Sequence, residues 1–286
     1  EASLELPFKQ TCRWFLELPE YKKWCKNNTA TPFFCIKGKP GAGKSTVMKF
    51  LVKERTDYSI DATVLSFFFN RRGVDLESSL LGLYRSLLYQ LSRSDPSRES
   101  SLDSLGIEYL ESIDETGWKE KDIPALKATL RRSIANRPSQ QLYVFIDALD
   151  ECPEEGARSM VDYFEALGEG MGAVRFCFSS RHYPHIEIDP NRSYIHDLEG
   201  DGMHLHDIRD IIDEKLKISS RSKSGADTFK TAIQMKSSGI FLWVVLVIQI
   251  LKKAKDKGKG YSLETLNYHL EKIPHSLDEL FDDIII

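Results

Sequence analysis

Lys44 and Ser45 close a run in which Gly38, Gly41 and Gly43 recur within six residues, GKPGAGKST. The order G-x-x-x-x-G-K-[ST] is a phosphate-binding loop when a strand precedes it and a helix follows. The glycines let the backbone turn tightly and bring its N–H groups against phosphate oxygens. A helix starting near Lys44 would aim its positive end at the same anion. Lys44 is the residue type that reaches the β- and γ-phosphates, and the Ser45 hydroxyl is a Mg²⁺ ligand. Lys39, Pro40, Ala42 and Thr46 complete the cradle. The ligand this predicts is a nucleoside triphosphate with Mg²⁺.

A second chemical cluster is LYVFIDALDEC. Its apolar run delivers Asp147 at the carboxyl end of a strand, where ligands bind in open α/β sheets. Asp147 is the expected partner of Ser45 on Mg²⁺. Asp150 and Glu151 follow, and one of them is expected to orient or deprotonate the attacking water. The third cluster, FCFSSR, ends a strand in Ser179, Ser180 and Arg181. An arginine there would pair with a γ-phosphate and sense its presence. Arg71 and Arg72 close another strand and are weaker candidates for the same work. His182, His185, His204 and His206 have no cysteine or histidine cluster around them, so the sequence offers no zinc site.

These residues need strands to carry them. Phe33 to Ile36 reads as the first strand, and Val47, Met48, Phe50 and Leu51 mark the helix after the loop. Further strands are expected at Ala62 to Phe69, Leu142 to Ile146, Val174 to Ser179 and Tyr194 to Leu198. Helices are expected at 7–28, Leu76 to Leu91, Ile123 to Ile134 and Met160 to Leu167. The Ser-rich, charged stretch 92–104 reads as a surface loop. Trp14 and Trp24 read as packing anchors. Alternation of strands and helices predicts a parallel sheet covered on both faces. After Gly200 it gives way to helices alone, at His206 to Leu216, Thr228 to Met235, Ile240 to Leu251, Leu263 to Leu270 and from Leu277 onward.

The domains expected are therefore a helical lead-in (1–30), a nucleotide-binding domain (31–200), a helical domain (201–275) and the start of another domain (276–286). The closing LDELFDDIII reads as a cut inside a longer protein. The chain has 286 residues and a net charge of −4, which argues against a nucleic-acid partner. Its five cysteines form no C-x-x-C pair; Cys35 and Cys177 lie in apolar runs and read as reduced, buried thiols of a cytoplasmic protein. No signal peptide is expected from EASLELPFKQ. The apolar stretch Ile240 to Leu251 falls short of the roughly 20 residues that span a bilayer.

The series GKPGAGKST, FFFNRRG with LYRSLLYQL, FIDALDEC and FSSR resembles a NACHT domain, closest to fungal NOD-like receptors of the STAND class. TCRWFLELPEYKKW, HLHDIRDIIDEKL, SSGIFLWVVLVIQIL and IPHSLDELFDDII extend the resemblance over nearly the whole chain. It implies an α/β fold of the ASCE P-loop NTPase type, a parallel five-stranded sheet with the P-loop strand central. A small all-helical domain and a winged helix, cut short here, would follow. By the same resemblance Lys44 and Ser45 are the Walker A pair, Asp147 the Walker B acid, Asp150 and Glu151 its extension, and Arg181 the sensor. Two departures stand out. Related proteins carry Gly-x-Pro where Gly239 is followed by Ile240 and Phe241, and that proline touches the base. Ala148 follows Asp147 where AAA+ enzymes carry a catalytic glutamate, which implies slow, regulated hydrolysis.

The resemblance implies a signalling switch, closed with ADP or GDP and oligomeric with ATP or GTP, of a kind used in innate immunity. Inverting a two-state equilibrium from 1:99 to 99:1 takes about 5.5 kcal/mol, whereas one charge-assisted bond from Arg181 supplies roughly 1.5–3 kcal/mol. Further surfaces are required: self-association through the NACHT module, an N-terminal effector and C-terminal repeats. A constitutive ATPase or kinase, and a nucleotide-bound scaffold, are the alternatives. The absence of an N-K-x-D signature tilts the base toward adenine, with GTP still open. Thr11, Cys12 and the helix after Gly239 are the candidates for base contact.

Overall fold

The computed structural model describes residues 11–26, 31–59, 62–94, 119–137, 141–170, 173–183, 188–200, 202–218, 223–256 and 263–285. The chain divides into two compact units, one of residues 16–37 and 48–196, the other of residues 1–15, 38–47 and 197–286.

In the first unit the apolar runs form the sheet. A 3₁₀ turn (Arg13–Glu17), whose first residues belong to the other unit, leads to α1 (Pro19–Trp24), then β1 (Phe33–Lys37). The single helix expected over 7–28 is thus broken, and its ends at 7–10 and 27–28 lie outside the described residues. Leu18 is extended (φ −56°, ψ 127°) because the ring of Pro19 disfavours a helical residue before it. Then come α2 (Lys44–Tyr58), β2 (Ala62–Phe68), α3 (Asp75–Ser78), α4 (Leu80–Arg93), α5 (Ile123–Ala135), β3 (Gln141–Asp147), α6 (Glu154–Gly170), β4 (Val174–Ser180) and β5 (Ser193–Asp197). The helix expected at Leu76 to Leu91 is two helices. Ser79 is extended between them, and its hydroxyl accepts the Gly82 N–H at 3.3 Å. Of the expected loop at 92–104, residues 95–104 lie outside the described set, and Ser92 and Arg93 belong to α4.

The strand order is β2-β3-β4-β1-β5, with parallel pairing from β2 through to β1. The P-loop strand is therefore interior but not central; β4 holds the middle. Burial follows position. Every residue of β4 and all but the first of β3 are buried, whereas edge strand β2 alternates at its start. Leu83, Leu87, Leu91, Leu130, Phe164, Phe176 and Phe178 pack with the sheet in one core. On the other face Trp24 is fully buried and its indole N–H donates to the Pro32 carbonyl at 2.8 Å. Beside it Arg175 of β4, 1% exposed, donates to the carbonyls of Trp24 (3.0 Å) and Lys26 (2.8 Å).

The second unit is helical: α7 (Leu205–Lys215), α8 (Lys223–Lys236), α9 (Phe241–Asp256), α10 (Leu263–Lys272) and α11 (Leu277–Ile285). Trp243, Val244, Val247, Ile248 and Leu251 line up along α9 at helical spacing and pack with Ile208, Ile212, Phe229 and Leu266. No helix among the described residues is long and apolar enough to cross a membrane.

Candidate functional site

The phosphate-loop sequence forms a tight turn inside the second unit. Gly41 (φ 75°) and Gly43 (φ 102°) occupy conformations that L-residues avoid. The Ala42 N–H donates to the Lys39 carbonyl at 3.2 Å, and Val47 N–H donates to the Gly43 carbonyl as α2 starts. Lys44 Nζ lies over the loop's own carbonyls, donating to Gly38 O at 2.7 Å and Lys39 O at 3.0 Å. Ser45 and Thr46 follow in the first turn of α2, both half-buried, and Pro40 is exposed.

The helical part of this unit grips the loop. The Lys39 N–H donates to Glu199 Oε1 at 2.5 Å, and the Leu242 N–H of α9 donates to the Gly41 carbonyl at 3.2 Å. A methyl group on Gly41 would come within 2.9 Å of Leu242 Cβ, and one on Gly43 within 3.2 Å of the Phe241 ring. These two glycines thus serve the seating of α9 as well as the turn. Glu199 also lines a cavity of about 400 Å³ together with His204, Gln234 and Gly239. His204 is 3% exposed and its Nε2 lies 3.2 Å from the Gly239 carbonyl, which can only accept, so the ring proton sits on Nε2.

Thr11 and Cys12 are buried in this unit. The Cys12 N–H donates to Asp207 Oδ2 at 2.7 Å, and the Trp14 indole N–H joins it at 2.9 Å. Burial first, and then the Asp207 carboxylate, push the Cys12 thiol up to about 12. Cys12 has φ 71°, an uncommon conformation that this clamp holds in place. Burial also raises the Asp207 carboxyl above its ordinary value. The Cys12 main-chain donor is therefore engaged by Asp207, a residue in the first turn of α7.

The acids and the arginine sit in the first unit, at the carboxyl ends of β3 and β4. Asp147 is 3% exposed and accepts the hydroxyl proton of Ser179. Ser179 also accepts the Ala148 N–H at 3.1 Å. Ala148 is left-handed (φ 57°), and this reversal starts the 3₁₀ turn Leu149–Glu151 that carries the other two acids. Asp150 Oδ1 accepts the Arg181 N–H at 2.8 Å, and Arg181 Nε lies 2.9 Å from Asp150 Oδ2. Glu151 Oε2 accepts the Arg71 N–H at 2.9 Å. Lys37, the last residue of β1, donates to the Ser180 hydroxyl at 2.8 Å; burial lowers its ammonium pKa, against which Asp150 pulls upward.

The structure thus brings Asp150 to Arg181, Glu151 to the backbone of Arg71, and Lys44 to Gly38 and Lys39. Thr11 and Cys12 belong with α7. The Arg72 N–H donates to Asn70 Oδ1 (3.2 Å), a local turn, and His185 lies outside the described residues. Sequence reading passed over Glu199, Asp207 and Lys37, because nothing in their local spacing says what they touch. Ser179 had a visible signal, a hydroxyl residue inside an otherwise apolar strand.

A family profile described as Nephrocystin 3, N-terminal matches residues 10–181, more than half of the chain. Among solved structures, Drosophila ORC bound to DNA is similar with a TM-score of 0.55 at 12% identity, over 93% of this chain and 61% of that one. Cdc6p from Pyrobaculum aerophilum is similar with a TM-score of 0.52 at 14% identity, over 89% of this chain and 65% of that one. The chain thus spans less than two thirds of either protein. At such identities the likeness is one of fold, that of the P-loop NTPases. A search of curated protein sequences finds no match. The family match and the fold agree with a NACHT-type STAND P-loop module.

Proposed function

This chain belongs to the Nephrocystin 3, N-terminal family, and we propose that it is a nucleotide-dependent switch that binds ATP or GTP, hydrolyses it slowly and self-associates in the triphosphate state. One observation carries the reading: Lys44 folded over a loop whose glycines at 41 and 43 are left-handed. That is a glycine-rich cradle with one cation laid over it, the arrangement that takes a polyphosphate.

Ser45 and the strand-end carboxylate Asp147 are each hard oxygen donors of the kind Mg²⁺ takes. When bound, the ion would neutralise charge on the β- and γ-phosphates. Ser179 holds one oxygen of Asp147 in a fixed orientation. Glu151 accepts the Arg71 N–H through one oxygen, and either it or Asp150 would orient the water. Lys44 binds phosphate and Arg181 reports the terminal one. The cavity at Glu199, His204, Gln234 and Gly239 receives the base, which makes the helical unit a reader of the ligand; adenine is the base favoured. The helical domain and winged helix expected from the sequence would transmit the state to effector and repeat domains of a cytoplasmic immune-type receptor.

The test is to denature the purified protein and identify what nucleotide it releases, beside Lys44→Ala. Near-stoichiometric ADP or GDP from wild type, and none from the variant, is expected. An empty site with fast, steady ATP turnover would instead indicate a constitutive ATPase, and no nucleotide binding at all would refute the reading.

A further inference from the structure

Two acids follow Asp147, and the sequence gives no reason to prefer either as the base. The structure separates them. Both oxygens of Asp150 are engaged by one residue: Oδ1 by the Arg181 main-chain N–H at 2.8 Å, Oδ2 facing Arg181 Nε at 2.9 Å. The Asp150 side chain is only 6% exposed, whereas that of Arg181 is 49% exposed. A general base needs a carboxylate oxygen open to the water it serves. Asp150 offers neither a spare oxygen nor access.

The grip on Arg181 has a direction. The carboxylate takes the main chain and the Nε edge, and among the described residues neither Nη group has a partner. Those two nitrogens are the pair that an anion with two oxygens can engage side by side. The approach of a phosphoryl group would then meet a guanidinium already oriented, with less rotamer freedom left to lose.

We infer that Asp150 is a positioning residue for Arg181, setting how well the site tells a nucleoside triphosphate from a diphosphate. Glu151 alone then remains for the water. This deepens the switch reading and rests on it.

Equilibrium titration with fluorescent ADP and a non-hydrolysable ATP analogue tests it, on wild type, Asp150→Ala, Asp150→Asn, Arg181→Ala and the double alanine variant. Arg181→Ala is expected to reduce the ATP-to-ADP affinity ratio about 10-fold or more, the loss of the paired charge-assisted contact. Asp150→Ala should reproduce most of that drop with ADP affinity unchanged, and the double variant should be no worse than Arg181→Ala. Asp150→Asn keeps an acceptor for the main-chain N–H and should fall between; it carries the test if Asp150→Ala does not fold. An unchanged ratio in either Asp150 variant, or additive losses in the double, would overturn the proposal. If ADP binding is lost on Lys44→Ala while the Asp150 ratio stays at wild type, only this proposal fails. If wild type binds neither nucleotide, both readings fail.

Discussion

Asp147 and Asp207 are both buried carboxylates, 3% and 6% exposed, and they are held in different ways. Asp147 ends a strand of the α/β unit and is held by a hydroxyl from the neighbouring strand. Asp207 opens a helix of the other unit and takes two N–H groups from the chain ahead of α1, those of Cys12 and Trp14. The first is oriented from below by a small side chain. The second is a clamp, with donors converging on one oxygen. A buried acid is thus not a functional signal by itself; the partners decide, because a carboxylate oxygen shared by neutral main-chain and indole donors is satisfied structure.

That contrast can be broken by exchange of chemistry at each place. The largest effect expected is on hydrolysis in Asp147→Asn, a fall of about 100-fold or more when the carboxylate proposed for Mg²⁺ becomes an amide. Its thermal midpoint should stay near wild type, because the amide oxygen still accepts from Ser179. Loss of stability with turnover retained would move Asp147 into the structural class.

Asp207→Ala should do the reverse. It strands the buried Cys12 and Trp14 donors and should cost about 2–4 kcal/mol of unfolding free energy in urea. A stability within error of wild type, or a base-selectivity change without destabilisation, would refute the clamp.

The pH dependence sharpens the same point. Burial raises the Asp207 carboxyl above its ordinary value, and such a group contributes stability that is fully present below the unfolded pKa and is lost as pH rises through the folded one. The stability gap between wild type and Asp207→Asn should therefore widen in favour of wild type as pH falls from 7 towards 4. A gap that narrows would mean the carboxylate form is the one the fold prefers.

The smallest effect concerns the thiol beside the clamp. With its pKa pushed up to about 12, Cys12 should be alkylated far more slowly at pH 8 than Cys25, the half-buried one of the five. Equal rates by mass spectrometry of the peptides would show that the segment opens.

Legibility in the sequence followed the same divide. The strands and the phosphate loop could be read because hydrophobic runs and glycine spacing are local; β3 and β4 appear within a residue of where their apolar runs lie. The strand order could not be read from the runs. The break at Ser79 and the break before Pro19 were misjudged, although both residues carry the local chemistry that causes them. At the site, Lys44, Ser45, Asp147, Asp150, Glu151 and Arg181 were visible as residue types. Their pairing was not, since Asp150 and Arg181 lie on different segments and meet only when β3 and β4 align. Glu199 and Asp207 were invisible for that reason too.

Arg175 gives the fold a mechanical property. Its guanidinium, buried on the central strand, is tied to the carbonyls of Trp24 and Lys26 at the end of α1. Strain on the segment that follows α1 would therefore load the middle of the sheet directly rather than peel it from an edge.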